Sequence, residues 1–242
     1  GWGFRLLGDM AAYERDTEQV AVLAGQLGDL PTLAHLRWRQ AYAHRWYCRY
    51  AAAGEAASAG LLLAQQAGDP LLQALCRREL GLVARETGAY DRARDELERA
   101  LDLFSGLGDV VYQIHTLGNL STLYRYMGEP QQALDCAHTT RERCGRANLP
   151  LERRLPLGDI GAAALALGDL QQAGACLRES LLIAHQIGDR TQEILCLGHL
   201  GWLALRRGAA LRARAQLEAA LSLARQVGSC AEQSWLQRGL AA

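Results

Sequence analysis

The sequence predicts an all-α repeat protein of about six helix-turn-helix units. Three observations lead to this fold class: a composition suited to packed helices, a glycine that recurs every 40 residues, and apolar residues at helical spacing between the glycines. Half of the 242 residues are hydrophobic and only five are proline. This composition is typical of closely packed helices rather than of β-sandwiches or disordered chains.

Two series of turn residues divide the chain at a fixed period. The first series falls at intervals of 40 residues or a multiple of 40, with Asn148 filling its one gap: Gly28, Gly68, Gly108, Gly188 and Gly228. The second series lies half a period away, with Cys48 as its exception: Gly8, Gly88, Gly128, Gly168 and Gly208. Because glycine, and next to it asparagine, accepts the positive φ angle that closes a helix, each repeat contains two turns and two helices.

The segments between these turns carry the signals of amphipathic helices. Apolar residues recur there at spacings of three and four, as at Leu97, Ala100, Leu101 and Phe104. Gly28 is suited to end one helix, and Asp29 is suited to accept hydrogen bonds from the first amides of the next. Pro156 would fall inside a first helix, so we expect either a kink in that helix or a late start, with a longer turn at 148–150.

The period predicts a single domain over residues 1–242, with partial units at both ends of an array that continues beyond the sequence. The predicted units are 1–28 (partial), 29–68, 69–108, 109–148, 149–188, 189–228 and 229–242 (partial or a cap). Each complete unit is expected to form one hairpin of a first and a second helix.

The repeats resemble the tetratricopeptide pattern when they are aligned on four dipeptides: Leu80-Gly81, Leu120-Ser121, Ile160-Gly161 and Leu200-Gly201. Tyr124 stands at the aromatic position of that pattern, and alanines stand at its small position in the second helix: Ala93, Ala133, Ala173 and Ala213. Small residues there allow the two helices of a hairpin to approach closely. The resemblance implies a right-handed superhelical solenoid whose first helices line a concave groove.

This long form of the repeat is similar to arrays in bacterial signalling ATPases of the STAND class, in maltose-activator-like transcription regulators and in multidomain nucleotide cyclases. The array is the sensor arm or the docking arm in those families. The resemblance therefore implies a non-catalytic protein–protein interaction module of a larger bacterial regulator, which binds a peptide or a neighbouring domain. Two alternatives stay open: a small-ligand-sensing solenoid, which an apolar pocket near Trp38 and Tyr42 would favour, and a scaffold that forms homo-oligomers through its end helices.

Charge and motif content disfavour several other functions. Acidic and basic residues balance at 26 each, which leaves no field of one sign to attract nucleic acid or an anionic membrane. No apolar run reaches the roughly 18 residues of a membrane span. The six histidines form no metal-binding motif and the chain has no phosphate-binding loop, so we expect no metal, no cofactor and no enzyme activity. The seven scattered cysteines predict buried free thiols in a cytoplasmic protein.

We predict a binding site on the first-helix residues that the packing consensus leaves unused. One helical stripe, at spacing i, i+4, i+7 and i+11, contains Trp38, Tyr42, Arg45 and Arg49. Later first helices add Arg78, Arg85, Thr122, Arg125 and Trp202. Arginine and aromatic side chains often anchor protein ligands, so the predicted ligand is a peptide with acidic groups and a hydrophobic anchor. The alternative is that the aromatic residues fill gaps between hairpins while the arginines are solvated.

Glycine occupies the position equivalent to Trp38 in three later repeats: Gly118, Gly158 and Gly198. These bare positions predict either a wide floor in the groove or close contact with the backbone of a partner. The sequence does not decide between the two.

Overall fold

The computed structural model describes residues 10–241, with the backbone alone described at 10–14, 16, 230, 231 and 234. Along this part of the chain it contains twelve α-helices and one 3-10 helix and no strand, which confirms the predicted all-α class. The α-helices are α1 (Met10–Leu27), α2 (Leu30–Trp46), α3 (Tyr50–Gln66), α4 (Pro70–Glu86), α5 (Tyr90–Gly106), α6 (Val110–Tyr126), α7 (Pro130–Arg146), α8 (Arg154–Leu167), α9 (Leu170–Ile187), α10 (Arg190–Arg206), α11 (Ala210–Val227) and α12 (Cys230–Ala241). The even-numbered helices are the first helices of the predicted units.

The described chain forms two compact units. Unit 1 comprises the described residues up to Arg45 together with Arg49–Gly108, and unit 2 comprises Trp46–Cys48 together with the described residues from Asp109 onward. In unit 2 the first helices follow one another side by side, since α6 contacts α8, α8 contacts α10 and α10 contacts α12. The single domain over 1–242 stays a prediction.

The turns have the backbone conformation that the glycine series predicts. Nine turn glycines take a positive φ angle: Gly28, Gly68, Gly88, Gly108, Gly128, Gly168, Gly188, Gly208 and Gly228. The two exceptions in the series keep the same conformation without glycine, with φ of 56° at Cys48 and 51° at Asn148. Gly8 lies outside the described residues. The turn therefore depends on the left-handed conformation and not on glycine itself.

Aspartates after these turns cap the next helix, as predicted for Asp29. The carboxylate of Asp29 accepts a hydrogen bond from the backbone N–H of Thr32 over 3.1 Å. Equivalent bonds begin α4 at Asp69, α6 at Asp109 and α10 at Asp189. Each cap satisfies one of the free amides at a helix start.

Helix α8 starts late, which is one of the two expected effects of Pro156. A short 3-10 helix at Leu151–Arg153 precedes it, and α8 begins at Arg154. Proline is then the third residue of the helix, where its missing N–H leaves no intrahelical hydrogen bond unmade. The confirmed late start means that the unit 149–188 enters its first helix by a different path from its neighbours.

Close helix contact explains the small residues of the hairpin consensus. A Cβ atom at Gly81 would lie 2.7 Å from Cγ of Leu97, so a larger residue there would force the leucine to shift. The same approach recurs in two later hairpins, at Gly161 and Gly201. Serine replaces this glycine at Ser121, and its hydroxyl donates to the carbonyl of Ala133 over 2.8 Å. This repeat position therefore holds only small residues, with Ala41 and Ser121 in the two hairpins where alanine replaces the facing leucine.

The cysteines follow the sequence prediction only in part. Cys76, Cys144 and Cys196 are buried free thiols, and Cys136 and Cys176 are free but half-buried. Cys48 is disulfide-bonded, so the prediction of free thiols is wrong there. Along residues 10–241, the helices lack the length and apolar character needed to span a membrane.

Candidate binding surface

A buried ion pair joins Arg45 of α2 to Glu79 of α4 in unit 1. Nε of Arg45 donates to Oε2 of Glu79 over 2.7 Å, and the glutamate side chain is fully buried while the arginine is 18% exposed. Nη2 of Arg78 lies 3.6 Å from the other carboxylate oxygen. A buried carboxylate requires positive partners to remain charged. Two of the predicted ligand-binding arginines therefore already neutralise a carboxylate of their own unit.

The two aromatic residues of the predicted stripe are half-buried one turn apart on α2. Cζ of Arg45 lies 5.2 Å from the centre of the Tyr42 ring, within cation–π range. The ring of Trp38 lies 5.3 Å from that of His35, whose pKa is lowered by burial and then by the charge of Arg39. The indole Nε1 of Trp38 is buried and has no hydrogen-bond partner among the described residues. Trp38 thus retains a donor that the unit does not use.

The remaining arginines predicted in unit 1 lie elsewhere. Nη2 of Arg85 donates to Oε1 of Glu86 over 2.6 Å. Arg49 is exposed and is the N-cap residue of α3, since α2 ends at Trp46 before the left-handed turn at Cys48. The predicted extension of the α2 stripe to Arg49 is therefore wrong, because the helix ends first.

Four consecutive first helices of unit 2 each contribute one side chain to what we call the polar row: Arg125 of α6, Asp159 of α8, His199 of α10 and Trp235 of α12. Nη1 of Arg125 lies 3.3 Å from Nε2 of His199. The ring of His199 lies 4.9 Å from that of Trp235. The row therefore places a cation, a carboxyl group, an imidazole and an indole across the unit.

His199 has a defined tautomer within the polar row. Its Nδ1 lies 2.8 Å from the carbonyl oxygen of Leu195, an acceptor only, so Nδ1 carries the proton. Nε2 is then the acceptor for the guanidinium of Arg125. Burial, and next the charge of Arg125, lower the pKa of His199 to about 3. The imidazole is therefore neutral at physiological pH.

Asp159 is the titratable group of the polar row that responds near neutrality. Burial raises its pKa from 3.8 to about 7, although the charge of Arg125 opposes this shift. Its Oδ2 lies 3.1 Å from the point where a Cβ atom of Gly118 would be. The side chain thus extends from α8 against the bare backbone of α6.

The other two predicted site residues in unit 2 differ in environment. Thr122 is half-buried on α6, three residues before Arg125 and hence on the same helical face. Trp202 packs against a core cluster that includes Leu177 and Leu203, and its Nε1 is buried without a hydrogen-bond partner in the described chain. The ring of Trp202 therefore contributes to packing within the unit.

The first-helix stripe predicted from the sequence does not include Glu79, Asp159 or His199. These residues occupy one repeat position, as shown by the 40-residue alignment of Arg39, Glu79, Asn119, Asp159 and His199. Every member of that alignment is polar, in helices whose neighbouring positions are largely apolar. This recurrence is the signal that could have identified them.

Comparison with known proteins supplies the family. A model of the tetratricopeptide repeat matches residues 73–144 and 153–226. The chain belongs to the tetratricopeptide repeat family. The sequence matches none of the curated proteins compared with it.

Several proteins of known structure have a similar fold. BtubC (BKLC) from P. vanneervenii is 17% identical with a TM-score of 0.66, and the match covers 89% of each chain. NprR, solved with its cognate peptide NprX, is 14% identical with a TM-score of 0.70, covering 93% of this chain and 67% of NprR. A STAND protein with a tetratricopeptide repeat sensor from Pyrococcus horikoshii is 18% identical with a TM-score of 0.60, covering 91% of this chain and 32% of that protein. The chain thus spans about a third of the STAND protein.

The bare glycines of the tetratricopeptide first helices are covered by the following repeat. A Cβ atom at Gly158 would overlap the side-chain amide of Gln192, and one at Gly198 would overlap the ring of Trp235. Both glycines are buried. The expectation of a wide floor or a partner backbone is therefore wrong at these two positions, because side chains of the same unit already fill the space.

A cavity of about 500 Å³ in unit 1 lies between α3, α4 and α5. Its lining includes Gly54, Leu80 and Arg92, and none of the nine predicted site residues contributes to it. It therefore gives no support to the alternative of a small-ligand pocket at Trp38 and Tyr42.

Proposed function

We propose that this tetratricopeptide array is a non-catalytic binding module that takes a peptide or a neighbouring domain on its first helices. The observation that carries the proposal is the polar row of unit 2, where four consecutive first helices present groups able to bind a polypeptide. A charged, a hydrogen-bonding and an aromatic group on one surface are the means by which proteins anchor peptides. The similar fold of NprR, solved with its cognate peptide, supports this choice.

In this proposal the array is the sensor or docking arm of a larger cytoplasmic bacterial regulator. The support is the similarity to a STAND protein with a tetratricopeptide repeat sensor, of which this chain spans 32%. The array would bind its ligand and transmit the bound state to other domains, which would carry any catalytic activity.

Unit 1 has an aromatic anchor of its own on its first helix α2. The buried indole N–H of Trp38 has no partner among the described residues, so a ligand carbonyl would satisfy it. An acidic ligand is less well supported, because Arg45 and Arg85 each contact a glutamate of the same unit. A ligand carboxylate would have to displace those contacts.

Peptide-display selection on the immobilised 242-residue chain tests the proposal. Selected peptides are synthesised and their dissociation constants are measured on the wild type and on Trp38→Ala, Arg85→Ala and Arg125→Ala. The control is Arg214→Ala, which removes an exposed arginine from the second helix α11. We expect at least one first-helix variant to weaken binding about tenfold or more, the usual effect of losing an anchor, while the control binds as the wild type does.

Other outcomes would redirect the proposal. Peptides that bind all four variants equally would contradict the first-helix location. Failure to select any peptide would contradict peptide binding and favour the alternatives, of which self-association would appear as a concentration-dependent mass in light scattering. A small-molecule ligand would instead raise the melting temperature of the chain without any peptide.

A further inference from the structure

Asp159 has a carboxyl group that unit 2 leaves without a hydrogen-bond donor. It lies on α8, between the first helices α6 and α10, and is half-buried. Across the described residues it takes part in no hydrogen bond and no ion pair within 4 Å. A half-buried carboxylate without donors keeps only part of its hydration, so this group is suited to a partner from outside the unit.

The cation expected to neutralise Asp159 is directed to another residue. In unit 1, Arg45 bonds to Glu79, which follows it by 34 positions. Arg125 precedes Asp159 by the same spacing, yet its Nη1 points to Nε2 of His199. Neutral His199 accepts that bond without adding a charge. The carboxylate is therefore less compensated than Glu79, whose two oxygens each lie within 4 Å of an arginine.

The titratable groups around Asp159 do not change this conclusion. Arg125 of α6 is the cation whose charge acts on it, and Cys196 of α10 is a buried thiol whose pKa is raised to about 11, chiefly by burial. His199 of α10 is neutral above about pH 3. Burial outweighs the charge of Arg125, since the pKa of Asp159 remains at about 7. At neutral pH about half of the Asp159 carboxyl groups are thus ionised, beside an arginine that donates to His199 rather than to them.

We propose that Asp159 anchors a positively charged group, an ammonium or a guanidinium, of the peptide segment bound to the first helices of unit 2. This inference rests on the proposed function and specifies the ligand chemistry at one position. A cationic group supplies both the missing charge and the missing N–H donors, and charge-assisted hydrogen bonds of this kind are the stronger ones. A ligand carboxylate at the same place would instead meet a like charge.

The proposal carries a defined pH dependence. A cation binds the deprotonated carboxylate, so protonation of Asp159 competes with binding. Since the pKa of the free group is about 7, the deprotonated fraction falls roughly tenfold between pH 8 and pH 6. Affinity for a cationic ligand should fall by about the same factor.

The test uses two blocked pentapeptides on the full chain. One is acetyl-Ala-Ala-Arg-Ala-Ala-amide, and the other carries citrulline, which has the shape of arginine without its charge. Dissociation constants are measured at pH 8 by NMR titration of the wild type, of Asp159→Asn, and of Asp102→Asn, a control that removes an exposed aspartate of α5. We expect the arginine peptide to bind the wild type and the control about tenfold more tightly than the citrulline peptide, and this preference to vanish in Asp159→Asn.

The outcomes separate the two proposals. Equal binding of both peptides, no binding of either, or a preference that survives in Asp159→Asn would overturn the cation site. If display-selected peptides still bind the first helices in that case, the proposed function stands without it. If no peptide binds the chain at all, both fail. The fold of Asp159→Asn is checked by its circular dichroism spectrum, so that lost binding is not confused with lost structure.

Discussion

Arg45 in unit 1 and Arg125 in unit 2 occupy equivalent repeat positions, yet their environments differ. Arg45 bonds to Glu79, which is fully buried between two arginines. Arg125 bonds to His199 and leaves Asp159 with a raised pKa. One repeat position thus carries a closed ion pair in the first unit and an incompletely neutralised carboxyl group in the second.

The residue that precedes each acid differs as well. Arg78 precedes Glu79 and adds a second positive charge to the same carboxylate. Gly158 precedes Asp159, and the space beside it is filled by the amide of Gln192. Glu79 therefore has an adjacent counter-charge that Asp159 lacks. Repeats with a common backbone can in this way differ in charge while their hairpin packing stays the same.

The largest expected effect is a loss of stability when the Arg45–Glu79 ion pair is broken. Glu79→Ala would leave Arg45 and Arg78, whose side chains are 18% and 11% exposed, without their carboxylate. We expect the free energy of unfolding to fall by about 3–5 kcal/mol, as for other broken buried pairs. Urea unfolding followed by circular dichroism measures this. Glu218→Ala, from an exposed pair with a 53% exposed glutamate, should cost less than about 1 kcal/mol. Equal losses of unfolding free energy in the two variants would show that the buried pair stabilises the fold no more than the exposed one.

Replacing Asp159, the acid of unit 2, is expected to change the free energy of unfolding in the opposite direction. Because the pKa of Asp159 is about 7 in the folded chain and 3.8 ordinarily, the folded state binds more protons in that window. Stability from this group is therefore lost as pH rises from about 4 to 7. Asp159→Asn should raise the free energy of unfolding by on the order of 2 kcal/mol at pH 8, with a gain that shrinks toward pH 4. Urea midpoints across this range, beside those of Asp102→Asn, measure it. A variant less stable than the wild type at pH 8 would contradict the comparison.

The smallest expected effect is a shift in the pKa values of Asp159 and His199 when Arg125 is replaced. The charge of Arg125 lowers the pKa of both Asp159 and His199. In Arg125→Gln we therefore expect the first to rise above about 7 and the second to rise above about 3. NMR titration of the carboxyl carbon and the imidazole protons measures both. Arg178→Gln, on the exposed side of α9, should leave them unchanged. A fall in either value would show that Arg125 does not act on the polar row.

Local features of the fold could be predicted from sequence, whereas the site could not. The turns at Cys48 and Asn148 and the late start of α8 depend on residues adjacent in the chain. The pairing of Arg45 with Glu79 depends on residues 34 positions apart, and the arginine was instead assigned to a ligand. Helical spacing identifies residues on one face, but it does not tell whether a neighbouring helix already neutralises them.

For the same reason, the glycines of the first helices were predicted to give either a wide floor in the groove or close contact with a partner backbone. Gly158 and Gly198 are filled by Gln192 and Trp235, which belong to the next repeat. The sequence of one repeat contains no information on that filling. Trp202 likewise has the residue type of a ligand anchor, and its packing against Leu177 becomes visible only in the structure.

The fit of Trp235 over Gly198 also limits how such a protein can evolve. Tandem repeats are commonly gained, lost or exchanged as whole units by recombination of the gene. The bare Gly198 of repeat 189–228 is covered by Trp235 from the residues that follow, whereas Gly158 of the preceding repeat is covered by Gln192. Duplicating the 189–228 segment would place a second copy of Leu195, instead of Trp235, after the glycine of the first copy. Packing between neighbouring repeats therefore constrains the order of the repeats in this chain.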